Sequence, residues 1–558
     1  MTLEKLTLPE LLARSCALYP DRLSLNFVTG GKRTYRQLRD EVAALARHLT
    51  RVGIAKGDRV AILGASMPNW GISQFAIAAV GAIAVPVLPG FSLPELQHIL
   101  EHAGVKAIFV SRLLVKTLEG TNLPLLEHKI LMNTFATIPD GRYSPGEMDA
   151  LPRDIDMTDN APLPPVAVEE DDIASIIYTS GTTGFSKGVV LTHENLVWNA
   201  RQSHTFQPVG TSDRFLSILP MAHTFENTLG LLLPLMYGSS VYYLDRVPTP
   251  KLLVPAMQQV RPTVMLSVPL IIEKIYKTSV LPALKRSAWT RAVYRTTAGK
   301  RLLHRVAGRR LMKTFGGEIV FFGIGGAKLD ATVERFLRDA RFPYAIGYGL
   351  TETAPLVAGS SPFHTFPRGV GPVMQGVSVR VDQPDERGEG EILIKGPNVM
   401  RGYYRRPELD ATTFTADGWF RSGDLGSMDS RGRLTIRGRI KTMILGSSGE
   451  NIYPEEIESI INHFRFVDES LVVEKSGRLV AMVHFNMEEM ERHFQHLKSQ
   501  AENYTNIAGE YLEELRLEIR EYVNARVNNF SKLQLVLVQH EPFEKTPSMK
   551  IKRFLYNK

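Results

Sequence analysis

Cysteine is the scarcest residue type in this chain, whose 558 residues include only Cys16. A single cysteine excludes an internal disulfide framework and a metal site built from several cysteines. Because Cys16 lies in an apolar stretch near the amino terminus, we interpret it as a core residue and not as a nucleophile. The scarcity of cysteine suits a reducing compartment, and the expected location is therefore cytoplasmic.

Long uninterrupted apolar runs are absent as well. The first residues, Met-Thr-Leu-Glu-Lys-Leu, lead into a mixed polar pattern, from which we expect no signal peptide. The longest uncharged run, residues 60–94, is broken by glycines such as Gly64 and Gly81 and by three prolines before its final residue. We interpret this run as a strand, a helix and a second buried strand, and not as a membrane span.

Acidic residues are nearly missing from one segment. Residues 273–313 contain twelve Lys or Arg and one acid, whereas the whole chain has a net charge of +8. Such a block can face lipid headgroups, nucleic acid or a phosphate-rich ligand, or it can be a solvated surface. No zinc finger or RNA-binding aromatic motif accompanies it, so nucleic acid is not an expected partner.

Arginines in this block recur at mostly helical spacing beside Trp289, Tyr294 and Leu302. This pattern predicts peripheral contact with an anionic membrane, at its inner face. The alternative is that the block steers a polyanionic ligand. The arginines are Arg291, Arg295, Arg301, Arg305 and Arg309.

The order of apolar segments predicts an α/β fold. Strand and helix patterns alternate over residues 58–111 and again after residue 172, which is typical of mostly parallel, layered sheets with helices. After about residue 370, short alternating runs indicate a small β-barrel-like subdomain. We predict an N-terminal domain of residues 1–438, with the β-rich part at about 370–438, and a small α+β C-terminal domain of residues 439–558.

The loop Tyr178 to Gly188, Tyr-Thr-Ser-Gly-Thr-Thr-Gly-Phe-Ser-Lys-Gly, is polar and flexible, yet it stands between two apolar strands. Backbone N–H groups, hydroxyls and a lysine together can cradle phosphate. The loop is not a Walker A motif, because Phe185 and not lysine follows Gly184. Taken alone, it could equally be a solvated turn.

Four more polar clusters follow it along the chain, and each carries groups that ATP chemistry needs. Residues 347–353 offer an aromatic face, a hydroxyl and the carboxylate of Glu352, which suits Mg²⁺. Residues 418–426 place Asp424 in a predicted turn, where it could accept hydrogen bonds from ribose. Cations follow at residues 438–441 and 545–553.

All five clusters, in this order, resemble the motifs of the adenylate-forming (AMP-binding) superfamily, which includes acyl-CoA synthetases, peptide-synthetase adenylation domains and firefly luciferase. The resemblance covers essentially the whole chain. Residues 219–226, 447–458 and 541–553 resemble the corresponding segments of bacterial long-chain fatty acid–CoA ligases. Met549 stands where many superfamily members have glycine.

The resemblance implies two half-reactions: a carboxylate attacks ATP to give acyl-AMP and pyrophosphate, and the thiol of CoA then displaces AMP. Glu352 would bind Mg²⁺, and Lys550 would bridge the carboxylate and the α-phosphate. The small C-terminal domain would be mobile and would rotate about Lys441, which stands at a hinge position that is often Asp. The phosphate loop would close on a polyanion and release pyrophosphate.

The remaining roles are also implied by the resemblance. Thr182, Thr183 and Lys187 would hold the β- and γ-phosphates, Thr351 would contact the α-phosphate, and Tyr348 would cover adenine. The other residues predicted to bind ATP or CoA are Thr179, Ser180, Gly181, Gly184, Gly325, Gly326, Ala327, Gly347, Gly349, Asp424, Arg439, Lys441, Gly449 and Glu450.

The acid pocket is expected around residues 223–233 and 325–327 and just after Glu352, with His223 as a gate or as a structural histidine. The leucines at 229–235 could line the acyl chain or simply form a core helix. The acceptor thiol would be external, either CoA or an acyl carrier protein. A degenerate, non-catalytic member is a third possibility, which the intact lysines, Glu352 and Asp424 argue against. The sequence leaves the acyl chain length and the oligomeric state open.

Overall fold

The computed structural model describes most of the chain, which forms two compact units. The first unit comprises Met1–Arg380, Leu393–Ser422 and Met428–Thr435, and the second comprises Val381–Ile392, Gly423–Ser427 and Ile436–Lys558. The described residues are 3–119, 121, 123–139, 144–152, 155–156, 166–179, 186–246, 248–285, 287–445, 451–475, 477–491, 507–547 and 550–556.

The strands are short, as their bounds show. In chain order they are β1 (Leu25–Phe27), β2 (Arg59–Leu63), β3 (Ile83–Val87), β4 (Val105–Val110), β5 (His128–Leu131), β6 (Ile173–Thr179), β7 (Lys187–Thr192), β8 (Arg214–Ser217), β9 (Ser240–Tyr243), β10 (Val264–Ser267), β11 (Phe321–Ile324), β12 (Tyr344–Gly349), β13 (Leu356–Gly359), β14 (Gly371–Pro372), β15 (Ser378–Asp382), β16 (Gly390–Lys395), β17 (Gly402–Tyr403), β18 (Phe420–Met428), β19 (Arg433–Arg439), β20 (Ile444–Leu445), β21 (Asn451–Ile452), β22 (Val467–Lys475), β23 (Arg478–Phe485) and β24 (Leu535–Gln539).

The α-helices are α1 (Leu8–Leu18), α2 (Tyr35–Arg51), α3 (Pro68–Ala79), α4 (Leu93–Ala103), α5 (Pro145–Asp149), α6 (His193–Ser203), α7 (Thr224–Glu226), α8 (Leu233–Met236), α9 (Pro250–Val260), α10 (Pro269–Ile275), α11 (Leu281–Leu284), α12 (Ala288–Tyr294), α13 (Thr297–Thr314), α14 (Ala331–Asp339), α15 (Pro407–Thr413), α16 (Pro454–Ile461) and α17 (Ile507–Asn524). Shorter 3₁₀ turns lie at Arg112–Leu118, Thr351–Thr353, Ile440–Thr442, Asn529–Ser531 and Arg553–Leu555, and π-helical turns at Asn227–Leu232 and Tyr276–Val280. Across the described residues, none of these helices has the length and apolar character that a bilayer span requires.

Two seven-stranded sheets form the centre of the first unit. Their strand orders are β1-β9-β8-β10-β11-β12-β13 and β17-β7-β6-β3-β2-β4-β5. Neighbouring strands are mostly parallel, but β7 pairs antiparallel with both β6 and β17, and β13 pairs antiparallel with β12. Strands such as β3 are buried along their whole length, which explains why they are continuous apolar runs and not alternating ones.

Helix α4 shows how local sequence sets an element that later supports the site. Ser92 and Glu95 form a capping box at its amino terminus, and Pro94 occupies the first turn. Gly104 ends the helix with φ of 65°, a left-handed conformation that glycine adopts without strain. These signals fix the position of His102 in the last turn of α4.

Three expectations about local structure are wrong in their bounds. The apolar pattern of residues 69–84 predicts a helix, but this helix ends at Ala79, because Gly81 takes a left-handed conformation and Ile83 already begins β3. The apolar run at residues 319–322 predicts a strand from Ile319, but β11 begins at Phe321. Asp424 lies within β18 and not in a turn, because the left-handed Gly423 is accommodated inside the strand.

The second unit has its own core. Strands β22, β23 and β24 form a sheet, and buried side chains of α16 and α17, such as Ile457, Leu515 and Ile519, belong to the same apolar cluster as Val483. A separate five-stranded sheet has the order β14-β19-β18-β16-β15. The predicted α/β fold, with mostly parallel sheets and a smaller C-terminal part, is confirmed.

Candidate active site

The predicted phosphate loop begins and ends in paired strands. Tyr178 and Thr179 end β6, and they pair with Gly188 and Lys187 at the start of β7. A Cβ atom at Gly188 would lie 2.7 Å from Ile176 Cγ2, so only glycine fits against the sheet there. The intervening predicted residues Ser180, Gly181, Thr182, Thr183 and Gly184 lie outside the described residues.

The base of this loop is tied to helix α4. The hydroxyl of Tyr178 lies 2.7 Å from Nδ1 of His102, and the two rings meet edge to face. Burial, together with the neighbouring His98, lowers the pKa of His102, which favours a neutral imidazole. This contact was not predicted, since a histidine 76 positions from its partner carries no sequence signal.

Lys187 and Glu352 are linked through a tyrosine. Lys187 Nζ donates to the hydroxyl of Tyr403 at 2.9 Å, and that hydroxyl donates to Glu352 Oε1 at 2.9 Å. The ammonium group also lies 4.2 Å from the centroid of the Tyr403 ring. Strand β17 brings Tyr403 here, because Tyr403 pairs with Val189 of β7. Sequence reasoning missed Tyr403, whose neighbours Gly402 and Tyr404 give no motif of their own.

The carboxylate of Glu352 suits a Mg²⁺ site in which the phosphates of the substrate supply further ligands. Tyr403 is hydrogen-bonded to Oε1, and no described residue is hydrogen-bonded to Oε2. Among the described residues, no group of three or more His, Cys, Asp or Glu could hold a metal ion alone. Mg²⁺ typically uses one or two carboxylates together with substrate phosphates, which matches a single glutamate.

Two buried asparagines hold the turn that carries Thr351 and Glu352. Asn199 Nδ2 donates to the carbonyl groups of Thr353 and Leu356 at 3.2 and 2.8 Å. Asn398 Nδ2 donates to the same two carbonyl groups at 3.1 and 3.0 Å. This clamp fixes the turn in place, and no sequence motif singles out either asparagine.

Close approach of the chain explains the glycines before this turn. A Cβ at Gly349 would lie 1.7 Å from the Pro355 carbonyl oxygen, so no other residue fits there. Tyr348 pairs with Ala358 across β12 and β13 and is partly exposed. At Gly347, a Cβ would lie 3.0 Å from a methyl group of Leu356.

An apolar cleft lies beside Gly347. It encloses about 530 Å³ not occupied by protein atoms, open solvent included. Phe225 lines it and also packs on Gly325, where a Cβ would lie 3.2 Å from the Phe225 ring. The other apolar side chains around the cleft are Phe206, Val209, Phe215, Leu229, Leu233, Val264, Leu266, Phe321, Ile324, Ala345, Ile346 and Leu356.

The leucine-rich segment therefore divides between two roles. Leu229 and Leu233 line the cleft, whereas Leu231, Leu232 and Leu235 are fully buried core residues. His223 precedes helix α7 and is not among the described residues that line the cleft. Gly326 has a left-handed φ of 86°, and Ala327 is exposed.

Asp424 and Arg439 form an ion pair in the second unit. Arg439 Nε lies 2.7 Å from Asp424 Oδ1, and the side chain of Asp424 is only 6% exposed whereas that of Arg439 is 47% exposed. A carboxylate oxygen at this position can accept hydrogen bonds from hydroxyl donors. Lys441 lies two residues beyond Arg439, in the 3₁₀ turn Ile440–Thr442.

Lys550 is exposed to solvent. Its backbone N–H donates to Thr546 Oγ1 at 3.2 Å, and the Thr546 N–H donates to the Lys550 carbonyl at 2.7 Å. Lys545 and Ile551 pair next to these two residues. The predicted residues Gly449 and Glu450 lie outside the described residues.

Comparisons with known proteins agree on one family. Residues 12–404 match the model of the AMP-binding enzyme family. The long-chain-fatty-acid–CoA ligase FadD15 of Mycobacterium bovis is 31% identical over 468 residues, which cover 79% of this chain and 75% of that protein. The chloroplastic long-chain-fatty-acid–[acyl-carrier-protein] ligase AEE15 of Arabidopsis thaliana is 26% identical over 582 residues, covering 87% of this chain and 77% of that protein.

A solved structure supports the fold independently. The crystal structure of ATP-bound MatB from Rhodopseudomonas palustris superposes with a TM-score of 0.75 and covers 98% of both chains. Its sequence is 24% identical to this one, a level at which the likeness concerns the fold alone.

Proposed function

Because the chain belongs to the AMP-binding enzyme family, we propose that it activates a long-chain fatty acid with ATP and transfers the acyl group to CoA. The family and an AMP-forming acid–thiol ligase activity, both predicted from the sequence, are confirmed. The acid, the acceptor and the role of each residue are the proposal.

One observation carries the choice of acid. The apolar cleft is lined almost wholly by aliphatic and aromatic side chains, and Gly347 of the adenine motif lies at its wall. An acyl chain in this cleft would gain free energy by leaving water, at about 25 cal/mol for each Å² of apolar surface buried. Its carboxylate would then lie toward the turn of Thr351 and Glu352.

The first half-reaction forms a bond between a carboxylate oxygen and the α-phosphorus of ATP and breaks the bond from that phosphorus to pyrophosphate. Lys187, held by Tyr403, would neutralise phosphate charge, and Lys550 would stabilise the charge that develops between acid and α-phosphate. Thr351 would orient the α-phosphate. Mg²⁺ bound at Glu352 would add positive charge on the β- and γ-phosphates.

Asp424 would orient the ATP ribose by accepting hydrogen bonds from its hydroxyls, and its contact with Arg439 would hold the carboxylate in place. In the second half-reaction the CoA sulfur bonds to the acyl carbon, and the bond from that carbon to AMP breaks. We propose that residues 439–558 rotate about Lys441 between the two steps. The short 3₁₀ turn at Lys441, between β19 and β20, supports this position as a hinge.

The test is AMP formation from ATP, Mg²⁺ and acids from acetate to oleate, with and without CoA. We expect CoA-dependent turnover with long-chain acids, which Lys550→Ala abolishes and Lys552→Ala, the matched cation two residues on, retains. The proposal would be refuted if none of the acids caused release of pyrophosphate.

A second candidate acceptor is an acyl carrier protein, as in the name of the Arabidopsis relative. Formation of bound acyl-AMP with pyrophosphate release, but without turnover on CoA, would favour this acceptor. Addition of a purified phosphopantetheinylated carrier protein would then restore AMP release.

We further propose that the solvent face of α12 and α13 contacts anionic membrane, where fatty acids partition. Leu303, His304, Gly308 and Leu311 face the protein interior. The opposite face exposes apolar side chains among cations: Trp289 is 66%, Leu302 57% and Val306 43% exposed. This combination is typical of helices that lie on anionic lipid.

The cations on this face are free to meet lipid. No ion pair joins Arg301, Arg305, Arg309 or Arg310 to a carboxylate among the described residues. Flotation with vesicles of phosphatidylglycerol and phosphatidylcholine is expected to carry the protein, and Trp289→Ser with Leu302→Ser is expected to abolish it. Leu113→Ser, which changes an exposed leucine elsewhere, is the control. The proposal would be contradicted if pure phosphatidylcholine vesicles floated as much protein as the mixed vesicles, or if neither kind of vesicle floated any protein.

A further inference from the structure

The π-helical turn Asn227–Leu232 joins the wall of the apolar cleft to the turn that carries Glu352. Polar side chains at its start point inward although they lie in an apolar segment: Glu226, which immediately precedes the turn, and Asn227 are 2% exposed, and Thr228 is fully buried. Each side chain faces a different part of the first unit. A single π-helical turn within a helix is uncommon and is often found at functional sites.

Two of these residues anchor the turn. Asn227 and Gln74 of α3 exchange reciprocal amide hydrogen bonds of 2.8 and 3.1 Å. Glu226 packs on Gly230, where a Cβ would lie 2.5 Å from its carboxylate oxygen, so a larger residue there would displace this carboxylate. The turn is therefore held firmly against α3 at one side.

Thr228 makes the connection to the catalytic side. Its hydroxyl donates to the carbonyl oxygen of Ala354 at 3.0 Å, and both residues are fully buried. Ala354 directly follows the Thr351–Thr353 turn, whose Glu352 carries the proposed Mg²⁺ ligand. The next residue after Thr228, Leu229, lines the cleft, as does Leu356 two residues after Ala354.

The hydrogen bond thus joins two segments that both line the cleft, and one of these segments continues directly from the Glu352 turn. An acyl chain that contacts Leu229 and Leu356 would press on both residues that flank this bond. We propose that Thr228 is a positioning residue that couples occupancy of the cleft to binding of ATP at the Thr351–Glu352 turn. The inference rests on the proposed acid activation, and it adds an energetic link between the two substrates.

The coupling can be measured without turnover. The probe is an ATP analogue with a methylene bridge between the α- and β-phosphates, and its affinity is determined by calorimetry with Mg²⁺, with and without palmitate. We expect palmitate to raise the affinity of wild-type protein roughly tenfold, and the analogue to raise palmitate affinity by the same factor. In Thr228→Val this factor is expected to fall below about twofold, because the free energy lost with one hydrogen bond is similar to that of a tenfold change in affinity.

Conservative and distant variants separate coupling from folding. Thr228→Ser retains the hydroxyl and is expected to keep the wild-type factor. Ser24→Ala removes another buried hydroxyl, which is far from Thr228 along the chain and is hydrogen-bonded to the carbonyl groups of Arg33 and Thr34. This variant is also expected to keep the wild-type coupling factor. A merely structural role for Thr228 would lower the melting temperature in Thr228→Val and leave the coupling factor unchanged.

Each failure has its own signature. A coupling factor near one in wild-type protein that binds both ligands, or an unchanged factor in Thr228→Val, would overturn this inference and leave acid activation intact. If wild-type protein bound neither the analogue nor palmitate, both the inference and the proposed function would be overturned.

Discussion

The ammonium group of Lys187 lies 2.9 Å from the hydroxyl of Tyr403, which is 216 positions further along the chain. The same hydroxyl is hydrogen-bonded to Glu352 at 2.9 Å. A single phenol therefore connects the cation of the phosphate loop to the carboxylate proposed to bind Mg²⁺. Charged groups held in position in this way are what phosphoryl transfer requires.

Tyr403→Phe is expected to lower the rate of pyrophosphate release about tenfold, because it removes two hydrogen bonds to charged groups. It should also raise the Mg²⁺ concentration for half-maximal rate, since Glu352 loses its orienting partner. The measurement is pyrophosphate release against Mg²⁺ concentration. Tyr404→Phe, which changes the adjacent ring, serves as the control, and an unaltered Mg²⁺ dependence in Tyr403→Phe would count against this role.

Leu229→Trp is expected to shift preference toward shorter acids, because the larger ring fills the cleft that Leu229 lines. The ratio of kcat/KM for palmitate to that for octanoate should fall at least about tenfold, which corresponds to about 1.4 kcal/mol. Leu229→Ala enlarges the cleft and should retain palmitate activity. Equal losses for both acids in Leu229→Trp would show that this cleft does not hold the acyl chain.

Asp424→Asn is expected to raise KM for ATP about tenfold, since an amide accepts hydrogen bonds from ribose hydroxyls less strongly than a carboxylate. The variant should also discriminate less between ATP and 3′-deoxy-ATP. Kinetics with the two nucleotides measure this directly. Asp429→Asn, a carboxylate paired with Arg433, is the control. Undiminished discrimination in Asp424→Asn would refute the ribose role.

Glu226→Gln is expected to stabilise the protein increasingly as pH rises. Burial raises the pKa of Glu226 from its usual 4.5 to about 8, and the neighbouring Ser217 hydroxyl opposes that rise. Between these two values the folded state retains a proton that the unfolded state has lost, so wild-type stability falls as pH increases. Below pH 4.5 both states are protonated, and this dependence is absent.

The gain in the variant should therefore be small at pH 4.5 and reach at least about 1.4 kcal/mol, the equivalent of one pKa unit, at pH 8. Urea unfolding at both pH values measures it. Glu318→Gln, at an exposed carboxyl paired with Arg261, should show no such growth. A constant difference between wild type and Glu226→Gln across this range would contradict the raised pKa.

Much of this molecule follows from short-range pattern. The alternation of apolar strands and helices predicts parallel sheets, because the period of apolar residues depends on local geometry alone. Glycines at 347 and 349 and the cations near 439 and 550 were identified from residue type and order. Bounds were less accurate: Asp424 was expected in a turn, because Gly423 beside it is a residue typical of turns.

Local sequence patterns could not predict the contacts between distant segments. Tyr403, Asn199, Asn398 and Thr228 stand in ordinary sequence surroundings, and each meets partners 42 or more positions away. Residue type and spacing along the chain determine the elements and the chemistry available, since both depend on neighbours within a few positions. The bridge at Tyr403, the clamp on Thr353 and the division of the leucines between core and cleft arise only when sheets and helices pack, because packing sets which distant atoms come within hydrogen-bonding distance.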